Sequence, residues 1–281
     1  MKAIYIVNES NFYMRLAWFS MATLRYFNPE LPVEVLLVLD GGRENRDVSN
    51  WHTINMGIPY FTAPQFADEC ASRFGVKVSV VENPEVGEEA GYVPIHRKEL
   101  WRVEGRDILF LDADTFILDD ITPLWDTVIS DVTADRNEWG NVNGPIPGGY
   151  QAFNSGVVLY RGNAMQQYAR ALYDICIDLK HDRHHLGPWL GSIENQLFDQ
   201  PSDAKPRKGS REELAFSVWV KESGMSYRFW DGREVQTCRI KRHTRILHTM
   251  TQNWFRHFKR FFRHGRFMPP RKLRRVLLPI N

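Results

Sequence analysis

The sequence predicts an α/β fold built on a largely parallel central sheet, and three observations carry that expectation. The first 40 residues read as strand, helix, strand: "KAIYIV", then apolar residues at helical spacing in "FYMRLAWFSMATLRYF", then "VEVLLVLDG". That order makes parallel strands joined by a right-handed crossover. Strand-like and helix-like stretches go on alternating down the chain. Finally, apolar runs end abruptly at Asn8, Asp40 and Asp112. Ligands of such sheets collect beyond the carboxyl ends of the strands, so these three residues share one predicted rim.

The elements follow in order. "NPELP" stops the first helix, because a proline supplies no amide hydrogen and disfavours helix in the residue before it. Residues 41–65 are polar and loop-like. "FADECASRFG" reads as a helix and "VKVSVVE" as a strand. "VPIHRKELWRVEG" reads as a helix leading into the strand of "ILFLDADTFILDD". "DVTAD" and a loop rich in Gly and Pro, "GNVNGPIPGGYQ", come next. "FNSGVVLYR" is strand-like, 164–180 forms an amphipathic helix, and 201–211 is a loop. There are no repeats and no low-complexity block.

The totals fit one sizeable domain with an appendage. The 281 residues, 43% hydrophobic and 25% charged, can bury a real core. Aromatic content is generous at 13%, and such side chains line clefts as well as cores. Cys70, Cys176 and Cys238 are odd in number and lack metal spacing, which predicts unpaired thiols in a reducing compartment. The opening apolar run is too short for a signal peptide, and no stretch nears the roughly 20 apolar residues of a membrane span. The expected location is therefore cytoplasmic.

The net charge of +2 hides an asymmetry. From residue 235 onward there are 13 Lys and Arg and no Asp or Glu, which leaves 23 basic against 34 acidic side chains in the first 234. An acidic body with a basic tail reads as a catalytic unit carrying an electrostatic attachment. The body is not a nucleic-acid binder by charge, and the basic region holds no recognisable RNA-binding module. The predicted division is a body over 1–250 and a tail over 251–281.

Asp112 and Asp114 pose the main chemical question. Two carboxylates at the end of an apolar strand need a cation, donors or a ligand where water is scarce. Residues two apart in a strand point the same way, and a turn lets both converge on one ion. Hard oxygen ligands suit Mg²⁺ or Mn²⁺, which in turn suit a diphosphate. The structural alternative is a solvated turn in which Asp114 or Asp119 caps the next segment.

"RDILFLDADTFILDDITPLWD" resembles the Asp-x-Asp region of the GT-A glycosyltransferases, and glycosyltransferase family 8 in particular, which includes glycogenin and lipopolysaccharide galactosyltransferases. "AIYIVNESNFYMRLAWFSMATL" resembles the family's nucleotide-binding opening, "FNSGVVLYRGN" its Phe-Asn-Ser-Gly strand, and "RILHTM" its late strand with a metal-binding His. The resemblance spans roughly residues 3–250 and implies a GT-A (Rossmann-like) fold. The implied activity is transfer of a hexose from a UDP-sugar, with retention, in polysaccharide or glycolipid synthesis.

By the same resemblance, Asp112, Asp114 and His248 hold Mn²⁺ or Mg²⁺. Val7, Asn8 and Tyr13 meet the nucleoside, with Tyr13 stacked on the base. Asp112, Ala113, Asn154 and Ser155 lie by the donor ribose or sugar, Asp135 near the sugars, and Arg97 or Lys98 on the phosphates. The place near the reacting carbon falls to Glu194, Asn195 or Gln196. The chain departs from the family pattern there, since Asp-Gln is replaced in "ENQLF". It departs again in "HTMTQNW", which lacks the closing Gly and Lys. Phosphate neutralisation then falls to Arg245, Arg256 or Lys259.

In the tail, "WFRHFKRFFR" sets Trp254, Phe255, Phe258, Phe261 and Phe262 on one side of a helix. Arg256, Lys259, Arg260 and Arg263 fall on the other. This pattern suits a helix lying in an anionic membrane interface, which places the protein at the inner face of a membrane. The same aromatic face could instead cover the body. Two other functions compete: a haloacid-dehalogenase-like phosphatase, whose motif normally opens its domain, and a non-catalytic binding protein on a glycosyltransferase scaffold. A nucleotidyltransferase would need a Gly-rich phosphate loop that "IVNESNFYM" lacks.

Overall fold

The computed structural model describes residues 1–40, 60–82, 96–126, 129–136, 146–198, 210–237 and 244–249, except for the side chains of 193–198 and 210. Two compact units divide the chain. Unit 1 comprises 1–83, 108–128 and 230–281, and unit 2 comprises 84–107 and 129–229.

Unit 1 opens with β1 (Lys2–Asn8), α1 (Asn11–Phe27) and β2 (Val33–Leu39), the expected strand–helix–strand. α2 (Ala63–Phe74), β3 (Lys77–Glu82) and β4 (Ile108–Leu111) complete a parallel set in the order β3-β2-β1-β4. β2 and β4 are buried almost throughout, as continuous apolar runs are when helices cover a parallel sheet. α1 is buried nearly all round from Phe12 to Leu24. It ends at Asn28, whose backbone N–H returns to the Leu24 carbonyl at 2.8 Å, just before Pro29.

α2 starts three residues before its apolar pattern suggests. Thr62 and Gln65 form a reciprocal capping box that satisfies first-turn amides. It stops at Gly75, where φ of 58° suits glycine and lets Val76 N–H reach the Cys70 carbonyl at 3.1 Å.

After β4 the chain makes one tight turn into β5 (Thr115–Ile117), and α3 (Pro123–Asp126) follows. Two late strands, β9 (Val235–Thr237) and β10 (Ile246–His248), join β5 in a small sheet of order β5-β10-β9. β10 runs antiparallel to β5 and parallel to β9. α1 holds β5 from beneath: the Ile117 N–H donates to Thr23 Oγ1 at 3.1 Å, and Phe116 meets Phe19 edge-on with centroids 4.9 Å apart.

Unit 2 contains β6 (Val132–Arg136), β7 (Phe153–Tyr160), α4 (Ala164–Lys180), α5 (Gly187–Phe198), α6 (Ser210–Glu222) and β8 (Tyr227–Phe229). The order is β7-β6-β8, with β6 antiparallel to β7 and parallel to β8. A bulge between Thr133 and Asp135 sets Asp135 opposite Asn154. α4 buries Met165, Tyr168, Ala169, Leu172, Cys176 and Leu179 at helical spacing, and Tyr168 meets Phe216 of α6 edge-on at 5.0 Å.

Of the helix expected over "VPIHRKELWRVEG", His96 and Arg97 are α-helical and Lys98–Arg102 tighten into a 3₁₀ turn, with 93–95 outside the described residues. Val103 adopts extended backbone and its N–H closes on Leu100, a 3₁₀ bond, so the ladder cannot continue. Ser210 and Arg211, expected in the preceding loop, already belong to α6.

Cys70 and Cys176 are buried free thiols, and Cys238 lies outside the described residues. Burial raises both thiol pKa values, which makes them inert core groups. Among the described residues no helix is long and apolar enough to cross a membrane.

Candidate functional site

The carboxylate pair lies where β4 runs out. Tyr5 of β1 pairs with Leu111, the last residue of β4, so Asp112 enters the turn from a buried edge. The turn is closed by Thr115, whose N–H and hydroxyl both donate to the Asp112 carbonyl, at 3.3 and 2.9 Å. β10 then sets His248 directly opposite Thr115. Its Nε2 comes 3.2 Å from Asp114 Oδ1 and 3.5 Å from Asp112 Oδ2. The side chains of Asp114 and His248 are buried, while Asp112 is 28% exposed, so the group opens to solvent on the Asp112 side. Ala113, between the aspartates, is buried.

These three residues fit a divalent cation. One ligand atom from each lies within 4.8 Å of the other two. An octahedral ion with bonds of roughly 2.1 Å sets neighbouring ligands about 3 Å apart, close to the imidazole–carboxylate distances here. Two carboxylates and an imidazole are a donor set that would favour Mn²⁺ over Mg²⁺. A solvated turn does not account for Asp114, whose side chain is almost as buried as that of His248.

Along the same rim, Asn8 ends β1 and Asp40 follows β2. Both are buried, and Asn8 Nδ2 donates to Asp40 Oδ2 at 3.4 Å. Val7 is a core residue. Tyr13, in the first turn of α1, is half-buried and stands edge-on to Phe12 with centroids 5.5 Å apart. Arg245 is held against the 119–120 turn, where it contacts the Asp119 carboxylate at 3.5 Å and the Asp120 carbonyl. Arg256 and Lys259 lie outside the described residues.

In unit 2 the candidates converge on the first turn of α6. Arg97 is buried, and its Nη1 donates to the Ser155 carbonyl and to Glu212 Oε1, both at 2.9 Å. Ser155 Oγ donates to Glu212 Oε2 at 2.8 Å, and Tyr168 Oη to Glu212 Oε1 at 2.5 Å. Burial first, and the Glu212 charge next, push the Tyr168 phenol well above its ordinary pKa, so it stays a donor. Asn154 Nδ2 donates to Glu213 Oε1 at 3.3 Å, while its Oδ1 accepts the Gly156 N–H at 3.0 Å. Lys98 lies over the Tyr173 ring at 5.3 Å. Asp135 is half-buried.

Glu212 and Glu213 escaped the sequence reading. One signal for them was present: Ser210 followed three places on by Glu213, ahead of the apolar run of α6, marks a helix start. Glu194, Asn195 and Gln196 fall in α5, and their side chains are outside the described residues.

No family model matches the sequence, and no curated protein matches it. Among solved structures the chain is similar to the glycosyltransferase GlyE of Streptococcus pneumoniae TIGR4, at 14% identity and a TM-score of 0.50 over 89% of this chain. It spans 55% of the GlyE chain, about half of that protein's length. The galactosyltransferase LgtC, solved with donor and acceptor sugar analogs, aligns with 98% of this chain and 100% of its own at 14% identity and a TM-score of 0.49. At such identities the likeness is one of architecture: this chain has the α/β fold of the glycosyltransferase GlyE.

Proposed function

We propose that the protein is a divalent-metal-dependent glycosyltransferase that moves a hexose from a UDP-sugar to a glycan or glycolipid acceptor. One observation carries this reading: Asp112, Asp114 and His248 gather their ligand atoms within 4.8 Å of one another at the end of β4. Breaking the bond between the anomeric carbon and the diphosphate leaves negative charge on the β-phosphate. A divalent ion held by Asp112, Asp114 and His248 would neutralise that charge, usually the largest single contribution available.

The chain's own residues do the remainder. Asn8, Asp40 and Tyr13 form the polar rim that receives the nucleoside. Asn154 and Ser155, fixed from α6 by Glu213 and Glu212, offer a rigid edge to the donor sugar, and fixed geometry supplies much of a transferase's rate. The place near the reacting carbon falls, by the family resemblance, to Glu194, Asn195 or Gln196. Transfer with retention follows from the family resemblance.

The decisive assay incubates the protein with each UDP-sugar and Mn²⁺ and measures UDP release, then repeats this with Asp114→Asn. We expect release that EDTA abolishes and that the substitution lowers at least about a hundredfold. Cleavage of phosphomonoesters instead would mark a phosphatase, and no release from any donor would leave a binding protein.

The tail, 251–281, lies outside the described residues. Its aromatic and basic composition supports attachment to an anionic membrane from the cytoplasmic side, where a lipid-linked acceptor would be met. Flotation with anionic liposomes should be lost on deleting 251–281; undiminished flotation of the shortened protein would end that part of the proposal.

A further inference from the structure

Both aspartates of the proposed metal group have their backbone carbonyls doubly occupied by a threonine. The Asp112 carbonyl accepts the Thr115 N–H and hydroxyl. The Asp114 carbonyl accepts the Thr249 N–H at 3.2 Å and the Thr249 hydroxyl at 2.8 Å. A carbonyl oxygen has two lone pairs, so neither has one left for an ion, and only the carboxylates can face it.

The threonines are themselves constrained. A hydroxyl has a single proton, and Thr115 gives its own to Asp112. At 2.7 Å it must then accept from Ser20, and Ser20, having donated, must accept from Tyr5 at 2.8 Å. The direction is therefore fixed from Tyr5 through Ser20 and Thr115 to Asp112. Tyr5, Ser20, Thr115 and Thr249 are all fully buried. Burial raises the Tyr5 phenol far above its ordinary pKa, so the first donor in the line keeps its proton. Thr249 acts from the other side. It follows His248 directly, so its grip on Asp114 fixes the register that brings the imidazole to the carboxylates.

We infer that Thr115 and Thr249 are positioning residues of the metal centre, their hydroxyls holding Asp112, Asp114 and His248 in ion-binding geometry, with Ser20 and Tyr5 orienting Thr115 from behind. The inference rests on the metal reading above. Outer partners of this kind typically alter metal affinity by about 10–100-fold when removed.

Mn²⁺ alone, titrated into the full chain and followed by the EPR signal of the free ion, separates the two ideas without any turnover. Thr115→Val and Thr249→Val keep size and strand preference but lose the hydroxyl. Each should weaken Mn²⁺ binding by about tenfold or more and broaden the bound-ion spectrum. Thr115→Ser and Thr249→Ser should restore both, and Ser20→Ala should give a smaller loss in the same direction. Valine variants that melt lower yet bind Mn²⁺ as tightly as the parent would overturn the positioning role alone. A parent chain that binds no Mn²⁺ would overturn it together with the metal reading. Should the valine variants fail to fold, Ser20→Ala and the serine variants decide: parental affinity in Ser20→Ala refutes the line of hydroxyls.

Discussion

Two buried charged clusters, one in each unit, show opposite electrostatic balances. In unit 2 Arg97 and Glu212 carry one charge of each sign, and the Glu212 carboxylate receives Arg97, Tyr168 and Ser155 at 2.5–2.9 Å. In unit 1 two carboxylates share one imidazole, which carries at most a single positive charge. The first cluster is complete in itself. Among the described residues the second sets two carboxylates against that one imidazole, with Asp114 buried and Asp112 partly open to solvent, a surplus of negative charge that a bound cation relieves. A closed balance marks architecture; an open one marks a place where something binds.

Removing a partner should therefore act in opposite directions in the two clusters. Glu212→Gln leaves the Arg97 guanidinium buried against a neutral amide and should cost about 3–5 kcal/mol of folding stability, read from urea unfolding. A variant unfolding at the parental midpoint would mean that Arg97 finds other acceptors and that the balance is not closed. Asp114→Asn should instead leave the metal-free chain as stable as the parent, or more so by about 1 kcal/mol. Mn²⁺ should then raise the parent's melting temperature and not the variant's. A strongly destabilised Asp114→Asn would mean that the carboxylate–imidazole contacts already satisfy one another.

The smallest effect sharpens the contrast at the surface. Glu222 accepts from Tyr150 at 2.8 Å and lies 2.8 Å from His184 Nε2, with its side chain 49% exposed. Burial alone would raise its pKa, but the bonds from His184 and Tyr150 outweigh it and the carboxyl sits below its ordinary value of 4.5. A depressed folded pKa stabilises above the unfolded value and is lost as pH falls through the folded one. Exposure keeps the contribution under about 1 kcal/mol. The stability gap between parent and Glu222→Gln should thus be small near neutrality and vanish at acid pH. A gap that widened on acidification would reverse the assignment.

Much of this was legible in sequence because it is local. The opening strand–helix–strand follows from apolar spacing over 40 residues, and Asp112 and Asp114 stand out because charge interrupts a buried run. His248 does not announce itself in that way. It reaches the aspartates through the pairing of β10 with β5, and only the family resemblance singled it out. Arg97 illustrates the same limit, since its partner Glu212 lies 115 residues away. The short 3₁₀ turn after Arg97 reads as an ordinary helix, because the apolar pattern says nothing about whether amides close on the third or the fourth carbonyl.

The three-residue strand carrying His248 also sets a timetable for synthesis. Thr249 and Asp114 are 135 positions apart. At translation rates of roughly 5–20 residues per second, the acidic turn leaves the ribosome on the order of ten seconds before its imidazole exists. A nascent chain stalled anywhere in that interval carries the two acids without their third ligand, so the centre matures only once β10 has been made.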